Sequence, residues 1–118
     1  MKLLIVDDSL LMRKAVERSL ASLNFTIVGS AADGEEGLRM FIETQPDLVT
    51  LDLSMPKMDG IACLTEIRKI NKDAKILIIS SQTDRVTAEE VMGKGASGVL
   101  GKPFSTEQII AKVNELLG

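Results

Sequence analysis

Leu48-Val49-Thr50-Leu51-Asp52 is a short apolar run that stops on a carboxylate, and Leu3-Leu4-Ile5-Val6-Asp7-Asp8 does the same near the start of the chain. Two further runs, Thr26–Gly29 and Ile76–Ile79, share the Val, Ile and Leu bias without polar alternation. That pattern belongs to strands covered on both faces in a parallel sheet. A fifth run, Gly98–Leu100, is shorter and glycine-flanked. Helical patterns separate the runs. Leu11, Ala15, Leu20 and Leu23 fall on one face of the first, with Met12 and Val16 beside them. Asp33 and Glu36 read as a capping box before Leu38, Phe41 and Ile42, and Ile61, Leu64 and Ile67 mark the third helix. The fourth, about residues 84–94, is poor in apolar residues and carries Gly93, which costs roughly 1 kcal/mol relative to alanine in a helix interior. Ser105 and Gln108 open the fifth with a second capping box, followed by Ile109, Val113, Leu116 and Leu117. Five βα units predict one α/β domain over residues 1–118. Its expected core is a doubly wound five-stranded parallel sheet with helices on both faces, flavodoxin-like, in strand order 2-1-3-4-5.

Composition removes several kinds of chemistry. The chain has 118 residues, no histidine and one cysteine, Cys63. An intramolecular disulfide, a Cys/His zinc site, a serine–histidine triad and a phosphohistidine on this chain are therefore excluded. A net charge of -3 argues against nucleic acid as a ligand. The apolar start is broken at once by Asp7-Asp8, too early for a signal peptide or a membrane span. A cytoplasmic protein is expected.

In an open α/β sheet, ligands bind beyond the carboxyl ends of the strands, near the point where strand order reverses. Asp7 and Asp8 follow the first strand, Asp52 the third, Ser80 the fourth and Lys102 the fifth. The expected strand order gathers all five at one edge. Three carboxylates in one crevice repel each other unless a cation neutralises them. An all-oxygen set without His or Cys suits Mg²⁺. A carboxylate can also attack phosphorus, and phosphoryl transfer asks for little beyond positioning and charge stabilisation. A lysine and a hydroxyl, as at Lys102 and Ser80, fit that need.

These residues resemble the receiver domains of two-component response regulators, most closely the single-domain, CheY-like chemotaxis type. The matching stretches are Val6-Asp7-Asp8-Ser9, Asp52 with Met55-Pro56-Lys57-Met58-Asp59-Gly60, then Ser80, Gly95-Ala96 and Lys102-Pro103-Phe104. The resemblance implies that Asp52 is the phosphoacceptor. It implies that Asp8, Asp52 and the backbone carbonyl of Ser54 ligate Mg²⁺, with Asp7 acting largely through a water. Ser80 would hydrogen-bond a phosphoryl oxygen, Lys102 would pair with the phosphoryl group, and the Lys102–Pro103 bond would be cis. A histidine kinase would be the phosphodonor. A target protein would dock on the fourth helix, fifth strand and fifth helix, with no nucleic acid or membrane involved and the chain a monomer. The family's fifth-strand aromatic is replaced by Val99, and Ser80 stands where Thr is commoner. Backbone and loop shifts around Ser80 and the fourth helix are then expected to carry the signal.

Blander roles are expected elsewhere. Asp59-Gly60 reads as a turn, Cys63 as a small core residue, and Arg13, Lys14, Arg18 and Arg39 as solvated helix faces. Three other functions compete. A phosphatase using a strand-end aspartate needs a second Asp where Ser54 stands. An FMN carrier needs a hydroxyl-rich loop after the first strand and aromatic residues on the flavin. A degenerate receiver, or one serving only as a phosphate sink, is opposed by the intact acidic set. Such a domain catalyses its own phosphorylation and hydrolysis without being a turnover enzyme in the ordinary sense. No output segment follows Gly118, so docking to another protein is the expected output.

Overall fold

Residues that alternate along the central strands divide between two apolar layers, and this division sets the architecture of the computed structural model, which describes all 118 residues. The strands are β1 (Lys2–Val6), β2 (Thr26–Ala31), β3 (Leu48–Leu51), β4 (Lys75–Ser80) and β5 (Gly98–Gly101). The helices are α1 (Leu10–Ser19), α2 (Gly34–Thr44), α3 (Gly60–Ile70), α4 (Arg85–Gly93) and α5 (Thr106–Leu117). All pairings are parallel and the order is β2-β1-β3-β4-β5, as expected. Successive strand side chains point to opposite faces. Leu4, Val6, Val49, Leu51, Ile76 and Ile78 pack with Phe41, Cys63, Leu64, Ile67 and Val91 of α2, α3 and α4. Leu3, Ile5, Leu48, Leu77 and Ile79 pack with Val16 and Leu20 at α1, and with Ile109 and Val113 of α5.

Ser9, Asp33, Asp59, Asp84 and Ser105 each accept a backbone N–H from the first turn of the helix they precede. Both halves of the capping box form at Ser105 and Gln108. At Asp33 only half of the expected capping box forms: the carboxylate accepts from the Glu36 N–H, and the Glu36 side chain makes no return bond to the Asp33 N–H.

Three further expectations are corrected. β2 is an edge strand, and its burial is partial rather than two-sided. Leu11 lies outside the core at 84% exposed; the inward stripe of α1 is Met12, Val16 and Leu20. The spacing of 4 from Met12 to Val16 to Leu20 tracks one helix face, whereas Leu11 drifts around it. Ile42 is likewise exposed on α2, leaving Phe41 as that helix's buried anchor.

Arg68 ties α3 to the segment between α4 and β5. Its Nε donates to the Gly95 carbonyl at 2.7 Å, its Nη1 to the Asn71 carbonyl at 3.1 Å and its Nη2 to Ser97 Oγ at 3.3 Å. Burial lowers the guanidinium pKa from its ordinary value, with Asp73 opposing that shift. Gly95 has φ +108°, and a Cβ there would also meet the Arg68 side chain at 2.7 Å.

Thr50 is one defect in the core. It shares the Leu48 face of β3, is 2% exposed, and its Oγ1 has no hydrogen-bond partner. An unpaired buried hydroxyl costs about 1–3 kcal/mol. Thr50→Val keeps the shape and removes the hydroxyl, so it should raise unfolding free energy by about 1 kcal/mol. Urea denaturation checks this, and a loss of stability would mean that the hydroxyl has a partner in solution.

Candidate functional site

Strand register puts Asp7 and Asp52 side by side. Val6 pairs with Leu51 across β1 and β3, and the Asp52 N–H donates to the Val6 carbonyl at 3.0 Å. On the other side of β1, the Asp7 N–H donates to the Ala31 carbonyl at 3.0 Å. Ser80 pairs with Gly101 across β4 and β5, and the Lys102 N–H reaches the Ser80 carbonyl at 3.0 Å. The ladders thus continue one residue past the strands and carry the polar groups with them.

Asp7, Asp8 and Asp52 each offer a carboxylate oxygen within 4.8 Å of the others. Asp7 and Asp52 are buried, while Asp8 is exposed. Lys102 Nζ lies 2.9 Å from Asp7 Oδ2 and 3.5 Å from Asp52 Oδ1. Before any modification, the lysine is therefore closer to Asp7 than to Asp52. The second oxygen of Asp7, Oδ1, accepts from the Ser9 N–H at 2.9 Å. Ser80 is buried, and its Oγ accepts from the Gln82 N–H at 3.0 Å. Accepting there leaves the hydroxyl proton free to donate. Ser54 lies exposed in the β3–α3 loop, two residues beyond Asp52.

Burial pushes the Asp52 carboxyl above the ordinary aspartate pKa, and Asp7 pushes it further; Lys102 opposes both. Three carboxylates against one ammonium leave two negative charges, the amount a divalent cation cancels. The donors are all oxygens, which fits Mg²⁺. The residues present therefore fit the metal.

Two contributors escaped the sequence reading. Gly60, expected as a bare turn, lets α3 begin directly over the acceptor strand's end. A Cβ at Gly60 would lie 2.1 Å from the Asp52 carbonyl oxygen and 2.6 Å from Leu53 Cα. Its N–H donates to the Leu53 carbonyl at 2.9 Å. Arg13, expected in solvent, turns back and donates from Nη1 to the Asp7 carbonyl at 2.6 Å. Its spacing of six residues from Asp7 carries no standard motif, so only the fold exposes the contact. Cys63 is the core residue it was expected to be; burial raises its thiol pKa to about 12, so it stays protonated. The Lys102–Pro103 bond is cis, as the resemblance implied.

The fold, the acidic edge and the lysine that crosses to it define a class, and comparison agrees: the chain belongs to the response regulator receiver domain family, matched over residues 3–114. Within that family it is a CheY-like receiver domain, a phosphorylation-activated two-component switch. It is 34% identical to the chemotaxis protein CheY of Bacillus subtilis, covering 98% of this chain and 97% of that one. It is 38% identical to the probable chemotaxis protein CheY of Rhizobium etli, covering 99% and 92%. Among solved structures, it matches a chain of the CheX–CheY–BeF3–Mg²⁺ complex of Borrelia burgdorferi with a TM-score of 0.97, at 34% identity, covering 100% of this chain and 90% of that one. No helix is long and apolar enough to cross a membrane.

Proposed function

We propose that Asp52 takes a phosphoryl group from a histidine kinase, and that the modified domain docks a target protein in chemotaxis, in the cytoplasm. The observation that carries this reading is the convergence of Asp7, Asp8, Asp52 and Lys102 on one sheet edge. A carboxylate oxygen of Asp52 attacks phosphorus. An O–P bond forms, the donor's N–P bond breaks, and the imidazole nitrogen leaves with the bonding pair. Asp8, Asp52 and the Ser54 carbonyl would hold Mg²⁺, with the Asp7 carboxylate beside them. The metal supplies charge neutralisation on the phosphoryl oxygens. Lys102 shifts from Asp7 toward the new phosphoryl oxygens, and Ser80 turns its free proton to one of them. The added charge, about −1.5 to −2 less the carboxylate's own −1, biases two surface shapes that already exchange. Val99 is half-buried against the α2–α3–α4 layer and offers no aromatic ring to rotate. The change therefore passes through the β4–α4 loop to α4, β5 and α5.

Incubation with Mg²⁺ and acetyl phosphate, followed by intact mass measurement, should show one phosphoryl adduct, absent in EDTA. No adduct, even with a cognate kinase, would leave the degenerate reading. Lys102→Ala tests the next link. Phosphorylation should persist, and the amide shifts it causes across α4, β5 and α5 should fall several-fold in NMR spectra. Full-sized shifts in that variant would sever the proposed route from phosphate to surface.

A further inference from the structure

Asp7 is held at four points: its N–H by Ala31, its carbonyl by Arg13, one carboxylate oxygen by the Ser9 N–H and the other by Lys102. Asp8 has no such support. Its side chain is exposed and makes no hydrogen bond within the protein, so its direction depends on the backbone on either side. The peptide after it is fixed by the Ser9 N–H on Asp7 Oδ1. The peptide before it, which joins Asp7 to Asp8, is fixed by Arg13 Nη1 on the Asp7 carbonyl at 2.6 Å. That carbonyl lies just past the end of β1, where no strand supplies a donor.

We propose that Arg13 is a positioning residue, which aims the Asp8 carboxylate at the metal by pinning the 7–8 peptide. Arg13 is placed at some cost, because its Nε is buried without any partner. The guanidinium makes no ion pair within 4.0 Å of any carboxylate, so the Asp7 carbonyl is its one hydrogen-bond partner. As a nearby positive charge, it also repels a divalent cation. Positioning and repulsion therefore predict opposite outcomes when the charge and the donor are removed together. Loss of an outer group that orients a ligand weakens metal binding about 10- to 100-fold; loss of a repelling charge strengthens it.

The inference rests on the reading of the acidic cluster as a Mg²⁺ site, and calorimetric titration of the intact protein with Mg²⁺ alone separates the two. Wild-type protein that binds no Mg²⁺ sinks the metal reading itself. Given wild-type binding, Arg13→Met should raise the Kd about 10-fold. Arg13→Lys, which retains a charged donor, should recover most of that loss, and Lys14→Met, which removes an exposed charge one residue away, should change Kd less than about 2-fold. The melting temperature of Arg13→Met without metal provides the folding control; if that variant does not fold, Arg13→Leu, which also lacks both charge and donor, replaces it with the same expectation. An unchanged or lower Kd in the variant lacking the cation, or no recovery with lysine, overturns the role assigned to Arg13.

Discussion

Asp52→Asn should abolish the phosphoryl adduct and, in EDTA, make the protein more stable. The first half follows from losing the attacking carboxylate oxygen. The second follows from the cost of keeping that carboxylate charged where it sits. It is 6% exposed and neighbours Asp7, and its folded pKa is raised first by burial and then by that neighbour. A raised folded pKa means that the native state binds the proton more tightly than the unfolded chain does. Asp52 therefore favours folding when protonated, and that advantage disappears as pH rises through its folded pKa. At neutral pH the ionised group is a liability, which asparagine removes at all pH values. Lys102 loses a partner at 3.5 Å but keeps the closer one at 2.9 Å, so the variant's loss is the smaller effect. Thermal unfolding in EDTA should show a gain of about 1 kcal/mol at pH 7 that shrinks toward about pH 4. Saturating Mg²⁺ should reverse the order, because it stabilises the native wild type by mass action. An adduct on the asparagine variant would place the acceptor elsewhere, and a destabilised variant would show that the carboxylate is not strained.

Gly60→Ala should cost on the order of 3 kcal/mol, the upper end for forcing atoms into a packed site. The added methyl would sit 2.1 Å from a backbone oxygen and 2.6 Å from a Cα, neither of which can rotate away. The atom it strikes is the carbonyl of Asp52, so phosphorylation should slow along with the loss of stability. Gly93→Ala provides the contrast. Nothing lies within 4 Å of its added Cβ, and Gly93 closes α4 instead of sitting in its interior, so the change should stabilise by about 0.5 kcal/mol, less than the interior value of about 1 kcal/mol. Chemical denaturation of both variants checks the pair; equal effects would mean that α3 can lift from the acceptor strand freely.

The contrast also marks where sequence reading runs out. Leu48–Leu51 announces β3 because a run with no polar alternation has few other homes, and its register with β1 carries Asp52 to Asp7. The acidic set was legible for the same reason: strand ends define one edge. Gly60 and Arg13 were not. A glycine after aspartate reads as a turn, and only packing shows that a backbone oxygen occupies the space of its missing side chain. An arginine early in a helix reads as solvated, since its long chain can reach a carbonyl that only the folded loop presents. Leu11 failed the other way. Leu10, Leu11 and Met12 stand in a row at the start of α1 and allow more than one apolar stripe, and the choice between Leu11 and Met12 is made by the sheet, not by the helix.

The Arg68 fork has a mechanical consequence. It fastens the exit of α4 to α3 through Gly95 and Ser97, whereas the entrance of α4 is an exposed turn in which Val86 stands 76% in solvent. A rod fixed at one end and loose at the other swings instead of sliding. Its greatest travel is then at the loose end, beside the loop that leaves Ser80, so a small tug on one hydroxyl is geared up where a partner would feel it.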